Sequence, residues 1–202
     1  PTYRSVMLDS RLQAFRAQTG NPLHTRASMV EAMIDAGTTD LRGEAVLPEV
    51  FEVLGDVSDL DAFEQQVVQM MKDWVVNGPS DLGSMRRDRD GPGLDAGALQ
   101  YEDREAVAFM DAWWDNMIDE VLPQITEVEQ LGVMVGGRHN APGGGGSAFA
   151  GGYYGYVLRV LQMARGVSAS PYRQLRCAGT GDLTDCRAAL VASLQSTIEE
   201  LG

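Results

Sequence analysis

Three aspartates in a short charged loop are the first side chains of this sequence that could do chemistry. Asp88, Asp90 and Asp95 can offer hard carboxylate oxygens to a calcium ion. The EF-hand loop is a poor match, because its fifth position, counted from Asp88, is Pro92, and Leu99 stands where a bidentate Glu belongs. Three arginines of the same loop would pair with these acids. The sequence therefore favours a salt-bridged loop, with calcium as the alternative.

A second, glycine-rich loop offers two further candidates. The run from Gly143 to Gly146 could hold a phosphate with backbone N–H groups, but no Lys-Ser or Lys-Thr follows it, so it is not a P-loop. His139 and Asn140 could act as acid/base and oxyanion donor, but no Ser or Cys at nucleophile-elbow spacing accompanies them. We interpret this segment as a pliable connector or a lid, and we predict no catalytic residue in it.

The two cysteines, Cys177 and Cys186, are close in sequence. Glycines between them would let the segment turn back, so a short disulfide loop is geometrically possible and would indicate an oxidising compartment. Two separately buried free thiols are the alternative. A metal site is not expected, because His24 and His139 are the only histidines and neither has a local partner at ligand spacing. We predict no cofactor.

Composition excludes some partners. The net charge of −13 and a pI near 4.4 argue against nucleic acid, because phosphate binding needs clustered Lys and Arg. A hydrophobic content of 44% is enough for a sizeable core. No apolar run approaches the roughly 18 residues of a membrane span. No signal peptide is visible in the polar first residues, and the start at Pro1 suggests either a chain cut from a longer precursor or a fragment of one.

Apolar residues recur at helical spacing through most of the chain, and the helices that this pattern predicts must position the loops. The strongest pattern follows Asp103, where eight apolar residues share one broad face and predict a central helix that ends near Pro123: Ala106, Phe109, Met110, Trp113, Trp114, Met117, Ile118 and Val121. Six other helices are predicted, over 5–19, up to Gly37, over 41–54, over 59–76, over 153–164 and from 184 or 185 onward. The second of them begins at a cap formed by Thr25 or Ser28, and the third is interrupted at Pro48.

Two of these helices have predicted buried faces that matter below. In the second helix the apolar face consists of Met29, Val30, Met33 and Ile34. In the 59–76 helix it consists of Leu60, Phe63, Val67, Met70, Met71 and Trp74. No alternating strand and no internal repeat is found. The sequence therefore predicts an all-α, irregular multi-helix domain spanning 1–202, with long loops near 77–102 and 132–152.

Five blocks in one order give the chain a family resemblance. They are TTDLRGEAVLP at 38–48, RRDRDG at 86–91, AFMDAWW at 108–114, GSAFAGGYYGYV at 146–157 and CRAALVASL at 186–194. Together they resemble the helical C-terminal part of the large (β) chain in actinobacterial penicillin acylase-type enzymes. The resemblance covers nearly the whole sequence, although no single block is diagnostic.

The resemblance implies an exported N-terminal nucleophile hydrolase. In such enzymes a precursor is cut, and the freed N-terminal Ser of the β chain attacks an amide carbonyl with its own α-amine as the base. It implies substrates such as the acyl side chains of β-lactams, acyl-homoserine lactones or lipopeptides. It also implies that this helical part packs on a separate αββα core. The partner that carries the Ser is then either another processed chain of the same precursor or residues that lie outside this sequence.

The chain departs from the family in one respect. It contains no family nucleophile block, so no catalytic residue is carried over, and we expect the chain alone to be inert. The alternative is a free-standing secreted helical binding module without enzymatic activity. A weaker alternative is an independent enzyme that uses His139 and the Asp88/Asp90 loop with a metal.

Overall fold

Helices make up the computed structural model, which describes residues 3–20, 23–76, 103–124, 154–168 and 176–202. Within these ranges there are seven α-helices and no strand, so the all-α prediction is confirmed. The predicted loops near 77–102 and 132–152 lie outside the described residues. The elements are α1 (Tyr3–Thr19), α2 (Arg26–Thr38), a π-helical turn (Arg42–Val46), α3 (Leu47–Leu54), α4 (Ala62–Val76), α5 (Arg104–Val121), α6 (Tyr154–Ala164) and α7 (Leu183–Leu201).

The predicted broad apolar face of α5 is buried along its whole length. All eight of its residues are at most 6% exposed. Trp113 lies completely inside the core, and its indole Nε1 donates to the hydroxyl of Ser193 on α7 at 2.9 Å. That bond satisfies the one polar atom that a buried Trp carries. The contact between α5 and α7, the most extensive between two described helices, therefore has a polar as well as an apolar part.

Among the described α-helices, α7 packs against more of the others than α5 does. Within the described ranges α7 packs against α3, α4, α5 and α6, whereas α5 packs chiefly against α7 and α4. A face as broad as that of α5 indicates burial on several sides, but it does not say which helix reaches the most neighbours.

The predicted interruption near Pro48 takes the form of a π-helical turn. Asp40 begins it, because its carboxylate accepts the backbone N–H of Arg42 at 2.9 Å. The five residues Arg42–Val46 are π-helical, and Pro48 then occupies the first turn of α3, where its missing N–H breaks no helical bond. Such π-helical insertions are rare and frequently occur at functional sites.

Helices α1 and α2 pack on each other. None of their described side chains (residues 8–19 and 26–36) belongs to the main hydrophobic cluster, which runs from Val46 to Leu194. The predicted apolar face of α2 is wrong, since Val30 is 47% exposed and Met33 is 61% exposed. The buried face consists instead of Ser28, Ala32 and Asp35. Side chains as small as those of Ser28 and Ala32 let a neighbouring helix approach closely, so the larger apolar side chains point away.

Helix α4 begins three residues later than predicted, after a reciprocal cap. Asp61 accepts the backbone N–H of Glu64 at 2.8 Å, and the Glu64 carboxylate accepts that of Asp61 at 2.8 Å. The other oxygen of Glu64 accepts from Gln195 of α7 at 2.8 Å, which leaves Glu64 only 8% exposed. Phe63, predicted to be buried, is 59% exposed, because the capped Glu64 occupies the inward position beside it.

Candidate functional site

A buried ionic cluster joins the π-helical turn to α5, and we define it as Asp40, Arg42 and Asp111. The Arg42 guanidinium donates to both carboxylate oxygens of Asp40, from Nε at 3.0 Å and from Nη2 at 2.5 Å. The same Nη2 donates to Asp111 at 2.7 Å. The Asp40 side chain is completely buried, whereas that of Asp111 is 41% exposed. Bidentate pairing of this kind holds a guanidinium in one orientation.

The electrostatics of the cluster keep Arg42 charged. Burial by itself would lower the pKa of Arg42, but the charge and hydrogen bonds of Asp40, together with those of Asp111, raise that pKa well above its ordinary value. The guanidinium also lies over the ring of Trp114, 5.8 Å from its centroid. Arg42 therefore stays protonated at ordinary pH, and its guanidinium links the π-helical turn to α5.

A second ion pair attaches the α1–α2 pair to the same turn. Arg11 of α1 donates to Glu44 from Nη2 at 2.5 Å and from Nη1 at 3.0 Å. Its Nη2 also lies 3.3 Å from the hydroxyl of Thr39. Arg11 is only 8% exposed, so it is the most deeply buried of the described side chains of α1. The π-helical turn therefore forms ion pairs with α1 on one side, through Glu44, and with α5 on the other, through Arg42.

The predicted disulfide is formed between Cys177 and Cys186, whose Cα atoms are 5.4 Å apart. The disulfide closes a short loop, and Asp185 stabilises this loop. The Asp185 carboxylate accepts hydrogen bonds from the backbone N–H and the hydroxyl of Thr180, each at 2.7 Å. These hydrogen bonds, the backbone one first, lower the pKa of Asp185. Gly179 has φ +63°, and a Cβ there would lie 2.4 Å from the Asp185 carboxylate. The loop therefore needs both the bridge and a glycine.

An apolar groove opens where α4, α5 and α7 meet, and it encloses about 510 Å³. This volume falls within the roughly 300–1,000 Å³ range of ligand-binding pockets. Its apolar lining includes Phe63, Val67 and Met70 of α4, Phe109 of α5, and Ile198 and Leu201 of α7. Three helical faces thus converge on one space, and the residues at i, i+4 and i+7 of α4 form one wall. The sequence patterns identified these residues but assigned Phe63 to the core.

Catalytic groups are not brought together in the part of the chain that the structure describes. His24 accepts a hydrogen bond from Arg16 at 3.2 Å and packs on Phe15. The Ser193 hydroxyl donates to the Leu190 carbonyl and accepts from Trp113, so it is held in the core. Across the described ranges no group of three His, Cys, Asp or Glu side chains could hold a metal ion.

Several residues singled out in the sequence lie outside the described residues. They are the aspartates Asp88, Asp90 and Asp95, the pair His139 and Asn140, and the glycines from Gly143 to Gly146. The cluster of Asp40, Arg42 and Asp111 was missed by sequence reasoning. A signal was present, because Asp40 and Arg42 stand two positions apart beside an apolar run, which is unusual for solvated charges.

The described features indicate the structural class of the protein, and the sequence comparison then gives its family. The described residues form an all-α unit that contains buried ion pairs, a disulfide loop and an apolar groove. The family model for penicillin amidase matches residues 1–202, and the chain therefore belongs to the penicillin amidase family. No curated protein and no solved structure matches it. None of the described helices is long and apolar enough to cross a lipid bilayer.

Proposed function

We propose that this chain is a non-catalytic helical scaffold within a penicillin acylase-type amidohydrolase, which cleaves acyl side chains from amides. One observation carries the proposal. The family match extends over residues 1–202, whereas the contacts of the described residues are those of helix packing: His24 bonds to Arg16 and packs on Phe15, and the Ser193 hydroxyl is held in the core. A chain of this family with such an interior fits the role of a support for chemistry performed on another chain.

In this proposal the nucleophile belongs to another chain of the same processed precursor. The N-terminal Ser of that chain attacks the amide carbonyl while its own α-amine takes the hydroxyl proton. The tetrahedral intermediate then collapses, the proton passes to the amine product as the C–N bond breaks, and the acyl-enzyme remains. Water hydrolyses this ester, which releases the acid and restores the Ser hydroxyl. The substrates are acyl amides of the β-lactam, acyl-homoserine lactone or lipopeptide type. The assembly is secreted, and the Cys177–Cys186 disulfide supports an oxidising compartment.

The test compares the chain alone with the chain co-expressed with the remainder of its precursor. Both samples are assayed on a panel of chromogenic acyl anilides, and the composition of each particle is measured by native mass spectrometry. We expect no hydrolysis by the isolated chain, hydrolysis by the multi-chain particle, and loss of it when the N-terminal Ser of the other chain is replaced by Ala. Hydrolysis by the isolated chain, or a particle that contains only this chain, would overturn the proposal.

A further inference from the structure

The connection from α3 to α4, residues 54–61, is held by a side chain of α7, and we call it the α3–α4 corner. Arg187 Nε donates to the carbonyl of Leu54, in the last turn of α3, and Arg187 Nη2 donates to the carbonyl of Asp56, each at 2.9 Å. The carbonyls of a last helical turn have no partner within their own helix. The guanidinium of Arg187 therefore supplies the end of α3 with a donor from another helix.

Arg187 also forms an ion pair with an acid of this corner. Its Nη1 and Nη2 lie 3.0 and 2.6 Å from the two carboxylate oxygens of Asp59. Bidentate pairing of this kind fixes the orientation of a guanidinium. Within the corner, the Asp56 carboxylate accepts the backbone N–H of Ser58 at 3.0 Å and its hydroxyl at 2.9 Å. The chain between the contacts of Arg187 is thus ordered by its own hydrogen bonds.

The disulfide lies directly before Arg187 in the sequence. Cys186, which is bonded to Cys177, is the fourth residue of α7, and Arg187 is the fifth. Asp182 lies inside the loop that the disulfide closes, and its carboxylate caps α7 by accepting the backbone N–H of Asp185 at 2.9 Å. The bridge therefore holds in place both the cap of α7 and the turn that carries Arg187.

We propose that the Cys177–Cys186 disulfide and Arg187 form a redox-sensitive device that controls the order of the α3–α4 corner. When a dithiol breaks the S–S bond, it is oxidised to its cyclic disulfide, and its two protons pass to the two cysteine sulfurs. The loop then no longer holds the Asp182 cap, the beginning of α7 frays, and Arg187 releases the corner. Both cysteines are completely buried, so the reductant reaches them only when the loop opens.

The test measures hydrogen exchange of single amides by NMR in the oxidised chain, in the chain reduced with dithiothreitol, and in the variant Cys177→Ala/Cys186→Ala. The reporters are the amides of Gly55 and Leu60, which donate to carbonyls of α3 and of the corner. Loss of the bridge should accelerate exchange of both reporters about tenfold. The amide of Met29 on α2 is the internal control, because α2 does not pack on α7 in the described structure, and its exchange should change less than about twofold.

Arg187→Ala separates this device from a general loss of stability. In this variant the corner should exchange fast even with the bridge intact, and loss of the bridge should then change the two reporters less than about twofold. Arg165→Ala is the matched control. Arg165 also holds α3, through ion pairs with Glu49 and Glu52, but it lies outside the disulfide loop and α7. Its variant should keep the full response of the corner to the bridge.

Three results would overturn the proposal. They are a wild-type corner that does not respond to loss of the bridge, a full response that persists in Arg187→Ala, and an acceleration at Met29 equal to that of the corner, since the bridge would then act on the whole fold. Asp59→Asn keeps the test decisive if Arg187→Ala does not fold. The Asp59 side chain is 59% exposed, so this variant should fold and lower the response to about threefold, whereas an unchanged response would contradict the role of Arg187.

Discussion

Arg42 Nη2 lies 2.7 Å from Asp111 Oδ1, although the two residues are 69 positions apart in the sequence. The same guanidinium forms an ion pair with the completely buried Asp40, so one arginine connects the π-helical turn with the middle of α5. Breaking a buried ion pair on one side leaves an uncompensated charge, which costs far more than the loss of an exposed pair. The two carboxylates of the cluster should therefore differ sharply in their effect on stability.

Asp40→Asn should lower the free energy of unfolding by about 3 kcal/mol, because Arg42 would remain buried without its main counter-charge. Asp111→Asn should cost only about 1 kcal/mol, since the Asp111 carboxylate is partly solvated. Urea unfolding monitored by circular dichroism measures both. Glu120→Gln, on an exposed position of α5, is the control and should change little. Equal effects at Asp40 and Asp111 would contradict the unequal burial on which the prediction rests.

Reduction of the Cys177–Cys186 bridge should destabilise the chain by roughly 2–3 kcal/mol, because the bridge restricts a short loop in the unfolded chain. The measurement is a thermal melt with and without dithiothreitol. A variant with both cysteines replaced by Ala should melt near the temperature of the reduced wild-type chain, and dithiothreitol should not change its melting temperature. Thiol titration of the oxidised protein under denaturing conditions should find no free thiol, and two reactive thiols would show that the bridge is not formed.

Gly179→Ala should be more destabilising than Gly166→Ala, although both glycines have positive φ, +63° and +72°. An alanine at Gly166 meets nothing within 4 Å and pays only the left-handed backbone strain, about 1 kcal/mol. At Gly179 the new Cβ would also collide with the Asp185 carboxylate and disturb its bonds to Thr180, which raises the expected loss to about 2–3 kcal/mol. Chemical denaturation of the two variants measures their free energies of unfolding. Equal decreases in that free energy would exclude the steric contribution at Gly179.

Asp103 and Asp59 should show opposite pH dependence. Burial, and then the charge of Glu105, raise the pKa of Asp103, so its ionisation in the folded chain costs stability once the pH exceeds its unfolded value near 3.8. The hydrogen bond from Arg187 lowers the pKa of Asp59, so its ionisation adds stability above about pH 3.8 that is lost as the pH falls through its lower folded value.

The experiment replaces each of these aspartates by Asn and follows the melting temperature from pH 3 to pH 7. Asp103→Asn should raise the melting temperature slightly at pH 7, and Asp59→Asn should lower it. Both differences should shrink as the pH falls towards 3. The difference at Asp59 should persist to lower pH, because its carboxylate is protonated in the folded chain only below its lowered pKa. Differences of the same sign at pH 7 would contradict the opposite pKa shifts.

Sequence periodicity was most reliable where a helix is packed along a broad face. The stripe of α5 from Ala106 to Val121 is buried as predicted, because eight apolar residues at helical spacing have no stable place in water. The predicted Cys177–Cys186 bridge was also visible in the sequence, since a short spacing with intervening glycines depends only on local chain geometry. Both are properties of one continuous segment.

Periodicity failed where burial depends on which neighbour is present. Met33 and Phe63 share helical faces with apolar residues but remain exposed, since within the described structure no neighbouring helix covers them. The positions that meet another helix are instead Ser28 and Ala32 on α2, and Glu64 on α4, where it bonds to Gln195. Periodicity tells which residues share a face of a helix, not whether anything packs on that face.

By itself the sequence determined the all-α class, the bounds of most helices to within a few residues and the acidic character of the chain, because each follows from local propensity or composition. It allowed the short disulfide, which the structure then showed to be formed. Only the tertiary structure decided that Asp40, Arg42 and Asp111 form one cluster and that faces of α4, α5 and α7 enclose a groove. Those relationships join residues far apart in the chain. Their formation depends on the free energy of packing whole helices together, which no local pattern encodes.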